Sequence, residues 1–239
     1  MEQFQNEVNI FHLIGGAKQA TGLTVIIDVF RAFSLECYLF DYGVTAIRPV
    51  GSIDDAFRLH AENPGSVLIG ERGGIKCEGF DFGNSPSSMT ASDVGGKLAI
   101  HTTSAGTQGV VNAVHADEII GGSLVNAKAI AAYIREKNPS SVSLVCMGLG
   151  GDKLAAEDEL CAAYIKSLLD GEPMPDINAR VADLQFNGGE KFFDPARNHI
   201  FPQADFWLCT KLNIFDFVVQ IDRDEKGFIS RKYPVTVCE

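Results

Sequence analysis

The chain lacks any apolar run long enough to cross a membrane. Its longest runs, such as VII at 25–27 and AIAAYI at 129–134, fall far short of the roughly 20 residues a spanning helix needs. The first residues, MEQFQNEVNIFHLIGG, carry no basic leader and are interrupted by polar side chains, so they do not resemble a signal peptide and a soluble intracellular protein is the expectation. Cations are scarce: 20 Lys and Arg stand against 31 Asp and Glu, for a net charge of −11, and no basic run exists. Nucleic acid and anionic membrane surfaces both require clustered cations, so neither is expected as a partner. The six cysteines, at 37, 77, 146, 161, 209 and 238, form no C-x-x-C pair and no C-x5-R. That spacing excludes a zinc knuckle, a redox motif and a phosphocysteine nucleophile. Most of them sit in apolar segments, where a thiol is a small core residue; reduced thiols and a cytoplasmic location are the expectation. The five histidines show no H-x-x-x-H spacing, and G-x-G-x-x-G, G-K-[ST] and G-x-S-x-G are all absent.

What is present is an alternation of short β-branched runs with amphipathic segments. LTVIIDVF (23–30), TAIRPV (45–50), SVLIGE (66–71), KLAIHTT (97–103), EIIGGS (118–123) and SVSLVCMG (141–148) read as strands. Between them lie a helix stopped by Gly43, one capped by Ser52, and others over 106–115, 126–138 and about 154–169. Strands alternating with helices imply βαβ units, hence an α/β fold with a largely parallel sheet and helices on both faces. Two regions break the rhythm. Residues 72–95 form a Gly-, Ser- and Asn-rich loop, which its apolar residues Ile75, Phe80, Phe82 and Met89 mark as ordered. Residues 173–239 hold eight phenylalanines and the only tryptophan without a βα pattern. With no linker before them, the expectation is one domain over 1–239, its 171–239 segment packed on the sheet.

In such folds ligands gather at the carboxyl ends of the strands, which reduces the chain to a few positions. Asp28 ends an apolar strand and Arg31 follows it. A lone aspartate there most often caps the next helix; with an arginine beside it, a metal-ligand or acid–base role competes. GERGG (70–74) repeats the arrangement with Glu71, Arg72 and glycines that let backbone amides approach a ligand, or else it is an ion pair in a turn. HTTSAGTQG (101–109) opens a helix with four hydroxyls and small residues, a turn suited to an anion; capping explains Ser104 or Thr107 but not the whole run. EDELC (157–161) puts Glu157 and Asp158 on a helix without the lysines a solvated face would pair with them.

The segments IDVFRA (27–32), GERGGIKCEGFDFGNSP (70–86), TTSAGT (102–107), GGSLVNAKAIA (121–131) and EDELCA (157–162), in that order, resemble the 2-phosphosulfolactate phosphatases over about residues 23–170. The hydroxyl turn carries one more small residue than the commoner T-T-N-G-T of that family. The resemblance implies a three-layer α/β/α sandwich with a largely parallel or mixed sheet, and a Mg2+-dependent phosphatase. Its reaction would convert (R)-2-phospho-3-sulfolactate to sulfolactate and phosphate, a step toward coenzyme M. It implies Asp28, Arg31, Glu71 and Arg72 as catalytic residues. Asn84, Ser85, Thr102, Thr103, Ser104, Gly106 and Thr107 would bind substrate, and Asp28, Glu71, Glu157 and Asp158 would hold Mg2+. A homodimer is a further family-level expectation. The alternatives are a phosphatase of another small phospho-acid, or a non-catalytic anion- or nucleotide-binding module. In either enzyme reading the site must be locally positive, because the chain as a whole repels anions.

Overall fold

The structure, a computed structural model, describes residues 4–172 and 174–237. Strand β1 (Glu7–His12) and helix α1 (Leu13–Ala17) come first, then β2 (Gly22–Ile27) and α2 (Ala32–Asp41). They are followed by β3 (Ala46–Pro49), α3 (Ile53–Glu62), β4 (Val67–Arg72), the short β5 (Ile75–Lys76), α4 (Ala91–Val94), β6 (Leu98–Thr102) and α5 (Gly106–Asn112). Next come β7 (Ala116–Gly122), α6 (Ala127–Lys137), β8 (Ser141–Cys146) and α7 (Ala156–Asp170). Helices α8 (Ile177–Asp183) and α9 (Gln203–Cys209) precede the last two strands, β9 (Phe217–Asp224) and β10 (Gly227–Pro234).

The expected strands and helices lie within a few residues of these, and local chemistry sets several ends. Ser52 Oγ accepts the Asp55 N–H at 3.0 Å to start α3. The chain leaves α2 through Gly43 at φ +87°, a conformation that a side chain would oppose. Every residue of α2 from Ala32 to Phe40 is buried, so this helix lies inside the molecule rather than on it. None of the described helices is long and apolar enough to cross a membrane.

The ten strands form one mixed sheet in the order β1-β8-β2-β7-β9-β10-β3-β6-β4-β5. The groups β1-β8-β2-β7 and β3-β6-β4 are each parallel. Between them the β9–β10 hairpin pairs antiparallel with β7 on one side and β3 on the other. The aromatic-rich end of the chain thus supplies two central strands, which a search for βα units does not detect. Through the hairpin the two parallel groups run in opposite senses, so a flat sheet would put their carboxyl ends on opposite edges. Twist of about 20–25° per strand pair, accumulated from β2 to β4, turns those ends toward each other.

The cores agree with this coiling. Val25 and Ile27 of β2 pack outward against α6, α7 and the 177–209 segment, through Ile130, Ile165 and Phe206. Ile26 of β2 shares the inner core with Ile69, Ala99 and Ile47 from the other group, around Phe33 and Leu39 of α2. A third cluster, with Leu59 against Leu68 and Ile100, seats α3 on the far face. The fold is α/β, with helices on both faces of the sheet in the manner of a three-layer sandwich.

Candidate active site

Where the strand ends converge there is a cavity of about 300 Å³. Its lining holds four cations, Arg31, Lys153, Lys191 and Arg197, against three acids, Asp28, Glu71 and Asp152. In a chain of net charge −11 that is a local reversal of sign.

Asp28 directly follows β2. Its Oδ1 accepts the Ala32 N–H at 3.1 Å, so it serves the first turn of α2 while lining the cavity. A Cβ on Gly106 would lie 2.9 Å from Asp28 Oδ2, so only glycine lets α5 start against this carboxylate. Burial pushes the Asp28 pKa up to about 6, opposed by the Ala32 N–H and assisted by the charge of Glu71.

Glu71 is tied on both oxygens. Oε1 accepts the Ser104 N–H at 2.7 Å; Oε2 accepts the Gly74 N–H at 2.5 Å and the Ser104 hydroxyl at 3.2 Å. It clamps the loop after β4 to the turn after β6. That turn, read in the sequence as an anion cradle, is thus occupied by the protein's own carboxylates.

Asp158 is spent in the same way. Its Oδ1 accepts the Val29 N–H and its Oδ2 the Gly148 N–H, both at 2.8 Å, which joins the exits of β2 and β8. Burial beside Asp28 and Glu157 raises its pKa, and the two N–H bonds pull the other way. Glu157 differs. It is buried, its Oε2 has no hydrogen-bond partner, and burial lifts its pKa to about 7 against the pull of Lys191.

Arg31 reaches across the molecule. Its Nη1 donates to Asp205 Oδ2 at 2.7 Å and to the Ile200 carbonyl at 3.0 Å, and its guanidinium lies 5.0 Å from the Phe201 ring centre. Asp205 in turn accepts from the Ser85 hydroxyl and the Ser87 N–H. Lys191 and Arg197 reach the rim over Phe201, at 5.5 and 4.7 Å from its centre.

Of the expected site residues, the structure brings Asp28, Arg31, Glu71, Asn84 and Ser104 to the cavity, with Glu157, Asp158 and Gly106 packed close behind. It does not bring Arg72, Ser85, Thr102, Thr103 or Thr107 there. Arg72 donates to the Gly51 carbonyl and the Thr102 hydroxyl, away from the cavity. Adjacent residues on a strand point to opposite faces, so Glu71 and Arg72 cannot both face one site. Thr103 and Thr107 bond reciprocally at the start of α5, and Thr102 bonds the Val50 carbonyl. Ser85 contributes through Asp205.

Lys153, Lys191, Arg197 and Asp205 were not legible as site residues. Three of them fall in the aromatic-rich segment, where nothing periodic marks them, and the cluster of phenylalanines in FFDPARNHIF was the one available hint. Nearby, His12 at the end of β1, Cys146 at the end of β8 and Glu159 of α7 also approach one another. There His12 Nε2 lies 3.1 Å from Glu159 Oε2 while Glu159 Oε1 has no hydrogen-bond partner, and burial pushes the Cys146 thiol pKa up. The described cysteines are all free and buried, as their spacing suggested.

Comparison with known proteins gives the chain's family. Residues 10–224 match the family model described as 2-phosphosulpholactate phosphatase. A probable 2-phosphosulfolactate phosphatase of Bacillus subtilis is 32% identical over 207 residues, covering 84% of this chain and 88% of the relative. One of Thermotoga petrophila is 33% identical over 219 residues, covering 88% and 92%. One of Carboxydothermus hydrogenoformans is 42% identical over 146 residues, covering 61% and 59%.

Proposed function

The chain belongs to the 2-phosphosulfolactate phosphatase family, a family of phosphoric monoester hydrolases, and from that premise we propose that it hydrolyses 2-phospho-3-sulfolactate with the help of Mg2+. The observation that carries this reading is the cavity itself, with four cations in its lining beside the buried carboxylates of Asp28 and Glu71. A substrate bearing phosphate, sulfonate and carboxylate needs several cations at close range, and an acidic protein can supply them only locally.

The buried acids fit a hard divalent cation. Asp28, Glu157 and Asp158 are buried together, the charge of Asp28 raises the pKa of both others, and one Glu157 oxygen is buried without a partner. Such a set is costly until a cation compensates it. Asp28 and Glu157 are the residues that would hold Mg2+, since both oxygens of Glu71 and of Asp158 already accept N–H groups. The ion would supply charge stabilisation to the phosphoryl oxygens.

The chain's own residues do the rest. Arg31, fixed by Asp205 and Phe201, presents a planar guanidinium to one anionic group. Lys191 and Arg197 hold the others from the rim, where their charged ends lie over the rings of Phe30 and Phe201. Hydrolysis forms one P–O bond to water and breaks the bond to the organic oxygen. The water's proton ends on the released hydroxy acid. The Asp28 carboxylate lines the cavity where that water must enter and can accept a hydrogen bond from it, which orients the attacking oxygen.

The test is phosphate release from 2-phospho-3-sulfolactate, 2-phospholactate and phosphoglycerates, each with Mg2+ and with EDTA. Release should require the metal and be most efficient with the sulfonate present. No metal-dependent release from any of them would leave this reading without support. Release from the others but not from the sulfonate would move the substrate to another phospho-acid.

A further inference from the structure

Helix α2 carries an acid into the interior. Glu36 and His101 are both fully buried, and Glu36 Oε1 lies 2.9 Å from His101 Nδ1. The other ring nitrogen, Nε2, lies 3.2 Å from Oδ1 of Asn84, which lines the cavity. A chain of three side chains thus runs from the core to the site wall, and no step of the proposed hydrolysis uses its inner two members.

Hydrogen-bond polarity and burial together decide how this chain is wired. An amide oxygen only accepts, so facing it requires Nε2 to carry a proton. Two protonation states permit that: imidazolium with carboxylate, or neutral imidazole receiving a proton from a protonated Glu36. Both leave the pair without net charge. The contrary wiring turns the Asn84 amide over and leaves a lone pair on Nε2, with Nδ1–H donating to Glu36. If Glu36 is ionised, that wiring buries a full negative charge, and His101 is the one cationic group paired with Glu36 among the described ion pairs. If Glu36 is protonated, its O–H falls on Oε2, which is buried with no hydrogen-bond partner. The wiring with Nε2–H toward Asn84 avoids both costs.

We infer that the buried Glu36–His101 pair is a positioning device that holds the Asn84 amide with its NH2 group toward the cavity, so that Asn84 is a hydrogen-bond donor to an anionic substrate and not an oxygen ligand for a cation. This rests on the cavity being the phosphatase site. Its wiring does not, because the protonation of His101 Nε2 is a property of the free protein.

The first measurement is therefore independent of turnover. Long-range 1H–15N spectra of the full chain labelled with 15N-histidine, recorded between about pH 6 and 8, report which His101 nitrogens carry protons. A protonated Nε2 throughout is expected; a lone pair on Nε2 overturns the inference even if the enzyme is a phosphatase as proposed. The second is kinetic. Asn84→Asp replaces the donor with an acceptor and should raise KM for the phospho-acid and Ki for inorganic phosphate about tenfold or more, with the half-activating Mg2+ concentration unchanged. An unchanged KM with tighter Mg2+ would assign Asn84 to the cation and overturn the inference. His101→Phe removes the Nε2 donor and should raise KM about tenfold with kcat within about threefold, a split that general loosening of the fold does not produce. An equal fall in kcat with KM unchanged would overturn it. If that variant does not fold, the spectrum of the wild-type protein decides alone. If no phospho-acid is turned over at all, the proposed function fails and the spectrum still tests the wiring.

Discussion

Arg31 Nη1 lies 2.7 Å from Asp205 Oδ2, with the two side chains 3% and 0% exposed, so a cavity cation from the start of α2 is held by a carboxylate 174 residues later. Removing one partner of such a pair leaves the other charge buried and uncompensated, at a cost of about 3–5 kcal/mol. Asp205→Ala should therefore lower stability by about that amount in urea unfolding. It should also raise KM, because Arg31 loses its fixed direction. The double variant Arg31→Ala/Asp205→Ala should be less destabilised than the sum of the singles, which a double-mutant cycle measures.

Part of this was legible in the sequence. Asp28 and Glu71 stand out because acids at the ends of β-branched runs, followed by glycine or arginine, break the expected apolar pattern. The partners that orient them were not legible. Asp205 sits on an ordinary amphipathic turn, and Lys191 and Arg197 are two charges in an aperiodic segment. Which way Arg72 points depends on the register of β4, and a run of residue letters does not reveal register. The β9–β10 hairpin left a trace, alternating Phe217, Val219 and Ile221 before a turn at Glu225 and Lys226. A search for strand–helix alternation passes over it, because a hairpin has no helix.

Gly106 tests whether the start of α5 must touch Asp28. A Cβ there would come within 2.6 Å of the Ala32 Cβ and 2.9 Å of Asp28 Oδ2. Neither neighbour is the free end of a flexible side chain, so the strain moves α2 or the carboxylate. Gly106→Ala should cost about 1–3 kcal/mol of stability by overpacking. A shift of about 1 Å in a catalytic group costs roughly a hundredfold in rate, so kcat should fall by about that factor. Activity near wild type would show that the Asp28 position is not critical.

Glu157 links stability to the metal. Burial raises its pKa from 4.5 to about 7. An acid with a raised folded pKa favours the folded state most when protonated, so in EDTA the protein should lose stability as pH rises from about 4.5 to 7 and level off above. Glu157→Gln removes that loss. At pH 8 in EDTA the variant should be more stable than wild type by a few kcal/mol, with the difference small at pH 4. Saturating Mg2+ should restore the wild-type protein and do little for the variant. A wild-type melting temperature that ignores Mg2+ would remove Glu157 from the ion's ligands.

The opposite sign is expected at the tip of the β9–β10 hairpin. Arg48 and Asp224 pair through two bonds of 2.7 Å, Nη1 to Oδ1 and Nη2 to Oδ2, tying β3 to the end of β9. The Arg48 hydrogen bond holds the Asp224 pKa at about 2, well below its ordinary 3.8. A depressed folded pKa stabilises the protein above the unfolded value, and that contribution disappears as pH falls from about 4 toward 2. Asp224 reaches solvent, so screening keeps the effect small and sensitive to salt. Asp224→Asn should lower the melting temperature slightly at pH 7, and the difference from wild type should shrink progressively on acidification and in high salt. Melting curves of the two proteins at pH 7, 4 and 2.5, each at low and high ionic strength, measure both dependences. A difference that grew on acidification would mean that Asp224 is stabilised by something other than its charge on Arg48. Because the β9–β10 hairpin joins the two parallel groups of strands, loosening this tie should also speed amide exchange in β10 and β3 before it affects β2 or β8.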